Sequence, residues 1–375
     1  MKVLLAGGGT GGHINPALAI AGIIKAHVPD AQFLFAGTPN HMEAQLIPQA
    51  GYPIEFIRVE GFQRSFTPEN IGRNVKALWY LAFSGARAKQ IVRDFSPEIA
   101  IGTGGYVAGP VIRMAAKMGV PTAIHEQNAY PGVTNRLLAK EVDHVMLTVE
   151  DALEHFEDGI QYTVTGLPVR EALFHKTREQ ARAELGFDDA FTILSFGGSL
   201  GAGAINESMA EVLRWHTSNK LPINHLHGYG GMGRDTFPQK MDVYNIPMTS
   251  ERIRITEYIN DMDTCMAAAD LVVCRSGANA LAELEALGKP SILIPSPIVA
   301  GNHQYHNAMV LARAGAAEVI EQKDLDNNDM IARIKALYDD RDKLRSMAQN
   351  AASLAVTDTD ARIWSVIEKL MQIKR

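Results

Sequence analysis

Two cysteines are all that this chain of 375 residues contains, and Cys265 and Cys274 form neither a CxxC pair nor part of a CxxC…HxxxH spacing. That excludes a disulfide framework and a cysteine-built zinc site. It fits reduced thiols in a reducing compartment. There is no basic surplus: the formal net charge is −6, which argues against a nucleic-acid binder. No apolar run reaches the ~18 residues of a membrane span. The opening "MKVLLAGGG" falls short of the roughly 7–15 apolar residues of a secretory signal. A soluble or peripheral cytoplasmic protein is the expectation. Low-complexity tracts are absent too, and 46% hydrophobic with 21% charged residues is ordinary for a globular chain. At this length a single core is exceeded and two domains are expected.

What is present is a repeated sequence of short apolar run, glycine turn and amphipathic stretch. "KVLLAG" (2–7) leads to a helix around Pro16–Lys25, and "AQFLFAG" (31–37) to one around Met42–Gln49. "PEIAIGTGG" (97–105) precedes a helix near Pro110–Met118, and "PTAIHEQN" (121–128) and "HVMLTV" (144–149) continue the series. Strands alternating with helices predict parallel sheets, hence an α/β fold. The pattern then restarts. "FTILSFGGSLGAGAINESMAEVL" (191–213) reads as a second copy of residues 1–23, with Gly7, Gly8 and Gly11 falling on Gly197, Gly198 and Gly201. Two similar α/β domains follow from this, 1–165 and 166–357, joined near "TVTGLPVREALF" (163–174). The second continues through "RIRITEYI" (252–259), "ADLVVCRSG" (269–277) and "PSILIPSP" (290–297). A terminal helix within 358–375 is expected to pack back on the first domain. Ligands of such sheets bind at the carboxyl ends of the strands, here in a cleft between the domains.

Gly7, Gly9 and Gly12 satisfy GxGxxG, but the next strand ends "LFAGTPN" without the acidic residue that a dinucleotide ribose needs. Gly7 and Gly12 have P-loop spacing, but His13 and Ile14 stand where Lys and Ser/Thr are required. The remaining reading is an anion cradle, a glycine loop that opens a helix and offers free N–H groups. Loops 7–13, "GTGGY" (102–106) and "GGSLGAG" (197–203) all have this form, which suggests two phosphorylated ligands. "CRSGANALAE" (274–283) places Glu283 in the second turn of a helix, where its carboxylate can accept ribose hydroxyls. "GNHQYHN" (301–307) and "HEQN" (125–128) supply amides suited to sugar hydroxyls.

"GGGTGGHINPALA", "GTGGYVAGP", "HEQNAYPGVTNR", "GLPVR", "FGGSLGA" and "CRSGANALAE…NHQYHN" occur in this order from end to end. Together they resemble the MurG family of bacterial peptidoglycan N-acetylglucosaminyltransferases. The resemblance implies a GT-B fold, two Rossmann-like domains around a deep cleft. It implies inverting transfer of N-acetylglucosamine from UDP-N-acetylglucosamine to undecaprenyl-pyrophosphoryl-N-acetylmuramoyl-pentapeptide (lipid I), with no cofactor. Glu283 would hold the ribose and the backbone at Ile259 the uracil. Ser199 and Arg170 would hold the diphosphate, and Gln304 and Asn128, with Thr10, Gly11 and Gly12, the donor sugar. Gly9, Gly104, Gly105 and Tyr106 would take the acceptor pyrophosphate. Leu200 and Leu167 depart from the family's usual GGSQG and GNPVR. A UDP-N-acetylglucosamine epimerase on the same fold is the alternative.

Inverting transfer needs a base for the acceptor hydroxyl, and His13 at the mouth of the first loop suits that role near neutral pH. The second copy has Gly203 there; Glu126 is the other candidate. "DMD" (261–263) and "DLD" (324–326) lie at helix starts, where carboxylates are favoured without a metal, so no metal site is expected. A polyprenyl acceptor places the enzyme at the cytoplasmic face of the cell membrane, with other cell-wall synthesis proteins as possible partners. Residues 64–90 join Leu78, Trp79 and Phe83 to Lys76 and several arginines, the composition of an interfacial helix on an anionic leaflet.

Overall fold

A computed structural model describes residues 1–59, 84–198 and 200–373 of the protein. The chain divides into two compact units, Met1–Pro168 with Asp358–Arg375, and Val169–Thr357.

The strands of the first unit are β1 (Lys2–Gly7), β2 (Gln32–Gly37), β3 (Ile54–Phe56), β4 (Ile99–Gly104), β5 (Thr122–Glu126), β6 (His144–Leu147) and β7 (Tyr162–Val164). They form one sheet in the order β3-β2-β1-β4-β5-β6-β7, with every pairing parallel. Helices α1 (Gly11–His27), α2 (Glu43–Gln49), α4 (Ala108–Lys117) and α5 (Val133–Leu138) connect them, with α3 helical over 84–95. Apart from Lys2 at the start of β1, the central strands are buried along their length, which is why they read as largely apolar runs.

The second unit repeats the plan. Its strands are β8 (Phe191–Phe196), β9 (Ile223–Gly228), β10 (Ile253–Thr256), β11 (Leu271–Cys274), β12 (Ser291–Leu293) and β13 (Ala317–Val319). Their order is β10-β9-β8-β11-β12-β13, again with parallel pairings. Its helices are α6 (Arg178–Leu185), α7 (Gly203–Ser218), α8 (Phe237–Val243), α9 (Met262–Ala268), α10 (Ala278–Ala286), α11 (His303–Arg313), α12 (Asn327–Asp339) and α13 (Arg341–Leu354). In both sheets the strand order reverses beside the first strand, between β1 and β4 and between β8 and β11. Those reversals are the topological switch points at which α/β sheets bind ligands. The glycine loops at 7–13, 102–106 and 197–203 and the turn at 274–277 follow the four strands that flank them.

The last helix, α14 (Thr359–Met371), belongs to the first unit. Ile363, Val366, Ile367 and Leu370 share a core with Ile14, Ile20 and Ile24 of α1 and with Val3 and Leu5 of β1. Each such side chain contributes about 1.5–3 kcal/mol on burial. Trp364 stacks on His27 with ring centroids 4.3 Å apart. Two aspartates of the acidic pairs occupy helix starts: Asp261 pairs with Arg254 at 2.7 Å, and Asp326 accepts the N–H groups of Asn328 and Asp329. Both cysteines are buried, and burial pushes their thiols up to about 12. Among the described residues no helix is long and apolar enough to cross a membrane, and no group of three or more His, Cys, Asp or Glu side chains could hold a metal ion. The residues expected to meet the membrane, Lys76, Leu78, Trp79 and Phe83, lie outside the described residues, as does Ser199.

Candidate functional site

In the first unit, the loops after β1 and β4 are held against each other by glycine. A β-carbon on Gly105 (φ +80°) would stand 2.3 Å from the Gly8 carbonyl oxygen, and one on Gly104 (φ +111°) 2.7 Å from His13 Nδ1. Only glycine tolerates both the backbone conformation and the approach. The second unit closes its loop differently: a β-carbon on Gly201 would meet the Tyr229 carbonyl oxygen at 2.2 Å, so the loop after β8 packs on the one after β9.

His13 sits in the first turn of α1, half-buried, with its imidazole against Gly104. Its Nδ1 lies 3.1 Å from the Thr103 carbonyl oxygen and 3.1 Å from Gln127 Oε1. The Thr103 hydroxyl donates to the His13 carbonyl at 2.7 Å, so the ring is fixed by its backbone as well as by its side chain. Nε2 makes no hydrogen bond among the described residues. Thr10 is the N-cap of α1, but its side chain makes no cap hydrogen bond, which leaves the first N–H groups, those of Gly11 and Gly12, without an intrahelical acceptor. Tyr106 is 60% exposed beside the paired glycines. Thr10, Gly11, Gly12, His13, Gly104, Gly105 and Tyr106 therefore come together at one switch point.

Two expectations for this unit need correction. Glu126 is 1% exposed and already accepts four N–H groups. Asn128 donates from its backbone at 2.9 Å and from its side chain at 3.1 Å, Gly132 N–H at 3.0 Å and Asn135 Nδ2 at 2.9 Å. Both carboxylate oxygens are saturated, so Glu126 folds the 126–132 turn and cannot serve as a base. Asn128 is held by the same carboxylate. Gly9 donates its N–H to Glu43 Oε2 at 2.9 Å, so that N–H is not open to a phosphate. Glu43 is fully buried beneath the loop and also accepts the Thr38 N–H at 3.0 Å. These hydrogen bonds outweigh burial and hold its carboxyl below the usual range. Glu43 carried no motif signal, and Thr103 and Gln127 lay within "GTGGY" and "HEQN" without these roles; the roles depend on partners distant in sequence.

In the second unit, Glu283 projects from the second turn of α10. Its Oε1 accepts from Arg170 Nε at 3.0 Å and Nη2 at 2.9 Å. Burial pushes the Glu283 carboxyl above its ordinary value, and the Arg170 guanidinium opposes that rise. Arg170 is thus the partner of the Glu283 carboxylate, and its side chain remains 58% exposed. Gln304, on α11, accepts the Ser296 N–H on Oε1 at 2.9 Å, and its carbonyl accepts the Ser276 hydroxyl at 2.7 Å. That pair of bonds turns the Gln304 amide NH₂ away from the loop that anchors it and ties α11 to the turn after β11. Ile259 follows β10, and its side chain fills the space over Gly228, where a β-carbon would meet it at 3.1 Å. Leu200 is exposed and Leu167 buried.

The Glycosyltransferase family 28 N-terminal domain matches residues 3–147, and the Glycosyltransferase family 28 C-terminal domain matches residues 192–363. Among known relatives, the UDP-N-acetylglucosamine--N-acetylmuramyl-(pentapeptide) pyrophosphoryl-undecaprenol N-acetylglucosamine transferase of Acetivibrio thermocellus is 44% identical, across 100% of this chain and 99% of that protein. The protein of the same name from Desulforamulus reducens is 41% identical over 99% of each. The crystal structure of MurG from Acinetobacter baumannii superposes with a TM-score of 0.78 at 28% identity, covering 98% of this chain and 99% of that one. A putative UDP-N-acetylglucosamine 2-epimerase from Listeria monocytogenes reaches a TM-score of 0.69 at 14% identity, covering 100% and 97%. That likeness is one of fold alone.

Proposed function

Since the chain belongs to glycosyltransferase family 28, we propose that its two units divide one transfer between them, the first serving the acceptor and the second the donor. The reaction moves N-acetylglucosamine from UDP-N-acetylglucosamine to lipid I, with inversion, to form lipid II in peptidoglycan synthesis. Relatives above 40% identity across the whole chain carry this reading over the epimerase.

In the donor unit, Glu283 accepts ribose hydroxyls through Oε2, the oxygen that Arg170 leaves open. Burial raises that carboxyl's pKa and Arg170 opposes the rise. The Ile259 backbone meets the uracil. Gln304, with its Oε1 committed to Ser296, presents its NH₂ to the sugar. The first N–H groups of α7 and α10, together with Ser199, meet the diphosphate and stabilise the charge that develops as UDP leaves.

In the acceptor unit, Gly104, Gly105 and Tyr106 meet the pyrophosphate. His13 Nε2 takes the proton from the acceptor sugar hydroxyl as its oxygen bonds to the anomeric carbon. The bond from that carbon to the UDP oxygen breaks, and UDP carries the electron pair away. The apolar and basic residues of 64–90, including Lys76, Leu78, Trp79 and Phe83, hold the enzyme at the cytoplasmic face of the membrane where lipid I resides.

Incubating the protein with radiolabelled UDP-N-acetylglucosamine, a short-chain lipid I analogue and EDTA is expected to place label on the lipid. Labelled N-acetylmannosamine with free UDP, and no labelled lipid, would replace the transferase reading by the epimerase. Within the donor unit, Glu283→Gln is expected to weaken UDP binding by about 10–100-fold, the worth of hydrogen bonds to a charged acceptor. Titration calorimetry with UDP measures it, and unchanged affinity would remove Glu283 from the ribose site.

A further inference from the structure

His13 is one end of a continuous chain of hydrogen bonds whose directions are fixed by chemistry. At the far end, His125 Nε2 lies 3.0 Å from the Gly166 carbonyl oxygen. A carbonyl only accepts, so Nε2 carries the His125 proton and its Nδ1 presents a lone pair. Gln127 Nε2 lies 3.1 Å from that Nδ1 and 2.8 Å from the His125 carbonyl oxygen. Two acceptors converge on one amide nitrogen, which sets the orientation of the Gln127 amide: NH₂ toward His125, oxygen toward His13. Gln127 Oε1 and the Thr103 carbonyl oxygen then both lie 3.1 Å from His13 Nδ1. Nδ1 again faces two acceptors and must carry the proton. Nε2 is left as the imidazole's only lone pair.

We propose that Gln127 is a positioning residue for the transfer reaction: through its amide it locks His13 in the Nδ1–H tautomer, so that Nε2 is always the basic nitrogen offered to the acceptor hydroxyl. This rests on the reading of His13 as the base. It explains why a glutamine with both polar ends engaged is buried beside the loop, 3% exposed. A base that takes up a proton once per turnover must start each cycle with the same nitrogen vacant, and the tautomer intrinsically preferred by imidazole places its proton on Nε2. Gly104 contributes by leaving no room for a β-carbon at Nδ1, which keeps the ring edge seated on Thr103 and Gln127. The far end of the chain does not titrate in the working range. Burial pushes the His125 imidazolium down to about 4, so His125 stays neutral and its Nδ1 stays an acceptor. The imidazolium formed at His13 during the reaction still donates from Nδ1 to the same two oxygens, so no partner has to move when the proton arrives.

The test combines a spectroscopic and a kinetic readout on the full chain with ¹⁵N-labelled histidine. The His13 resonances are identified by their loss in His13→Ala. Two-bond ¹⁵N–¹H spectra at neutral pH are expected to show wild-type His13 with its proton on Nδ1. Gln127→Met preserves the side chain's length and removes both polar ends. It is expected to shift His13 toward the Nε2–H form and to lower kcat at least tenfold, with KM for UDP-N-acetylglucosamine within twofold of wild type. Gln127→Glu, as the protonated carboxyl whose O–H donates toward His125 and whose C=O faces Nδ1, is expected to retain the Nδ1–H form and recover most of the lost kcat. A wild-type spectrum with the proton on Nε2 overturns the proposal without any variant having to fold. Wild-type kcat in Gln127→Met with His13 still in the Nδ1–H form also overturns it. Full turnover in His13→Ala would instead overturn the base reading, an outcome distinguishable because the tautomer is observed independently of activity.

Discussion

His13→Ala lowers the turnover of N-acetylglucosamine transfer by about 10²–10⁴-fold, the usual contribution of a positioned general base, and leaves UDP affinity unchanged. The expectation follows from where the ring is and how it is held. Thr103 and Gln127 engage one nitrogen, Gly104 packs against the ring, and the other nitrogen has no hydrogen bond among the described residues. Loss of the imidazole removes the proton acceptor for the attacking hydroxyl but no group of the donor unit, so the effect belongs in kcat. Steady-state kinetics with a soluble lipid I analogue and calorimetry with UDP separate the two quantities. A variant with unimpaired turnover would assign the proton to another group. Glu126 is already disqualified by the four N–H groups on its carboxylate.

The buried histidines of the second unit are expected to take about 4 kcal/mol from its stability between pH 8 and pH 5.5. Glu285, whose burial pushes its carboxyl up to about 8, returns part of that by gaining a proton in the folded unit. Three histidines are buried together in it. Ser195 Oγ lies 2.9 Å from His225 Nε2 and 2.8 Å from His227 Nδ1, and His216 Nε2 lies 3.3 Å from His225 Nδ1. Burial pushes His216 down to about 4 and His227 to about 3, and it holds His225 well below the ordinary value of 6.5. Folded, these rings refuse protons that the unfolded chain accepts near pH 6.5. Their contribution is therefore fully present above that pH and is lost as pH falls below it. Each ring loses roughly 1.4 kcal/mol by pH 5.5, one unit below the unfolded pKa. Set against a typical 5–15 kcal/mol for a domain, the sum is large. Among the described residues the first unit has one ring buried as completely, His125, so its histidine contribution is smaller. Urea unfolding of the wild type and of His227→Phe, followed by hydrogen exchange in the second unit at the two pH values, isolates the histidine part; an unchanged pH dependence in His227→Phe would refute it. His227→Phe, which replaces a ring whose Nε2 has no partner and which packs on Phe237, should remove about a third of the histidine part.

Apolar strands followed by glycine made the two switch points legible in the sequence, because buried parallel strands are apolar on both faces. The short edge strands β3, β7 and β13 were not, being three residues each. Nor was β9, a central strand that carries Asn224, His225 and His227, all completely buried. Its polar side chains find their partners outside the strand, Asn224 in Asp188 and Thr192, His225 in Ser195 and His216, and His227 Nδ1 in Ser195, and no local pattern announces that. In "HEQN" the alternation of a strand end was informative and went unused. Residues two apart share a face, so His125 and Gln127 meet each other, and Gln127 reaches His13, while Glu126 turns to Asn128, Gly132 and Asn135. The Glu43–Gly9 and Arg170–Glu283 pairs span 34 and 113 residues; contacts of that separation are set by topology, and the sheet order had to be seen first.

The helix α14 makes the first unit discontinuous, and this has a consequence for biosynthesis. A ribosome adds ~5–20 residues per second, so residues 169–357 take roughly 10–40 s to emerge. Throughout that interval Ile14, Ile20 and Ile24 lack the Ile363, Val366, Ile367 and Leu370 that cover them in the finished core. The half of the enzyme translated first is therefore the half completed last, and its apolar face is the surface that a nascent-chain chaperone would have to shield.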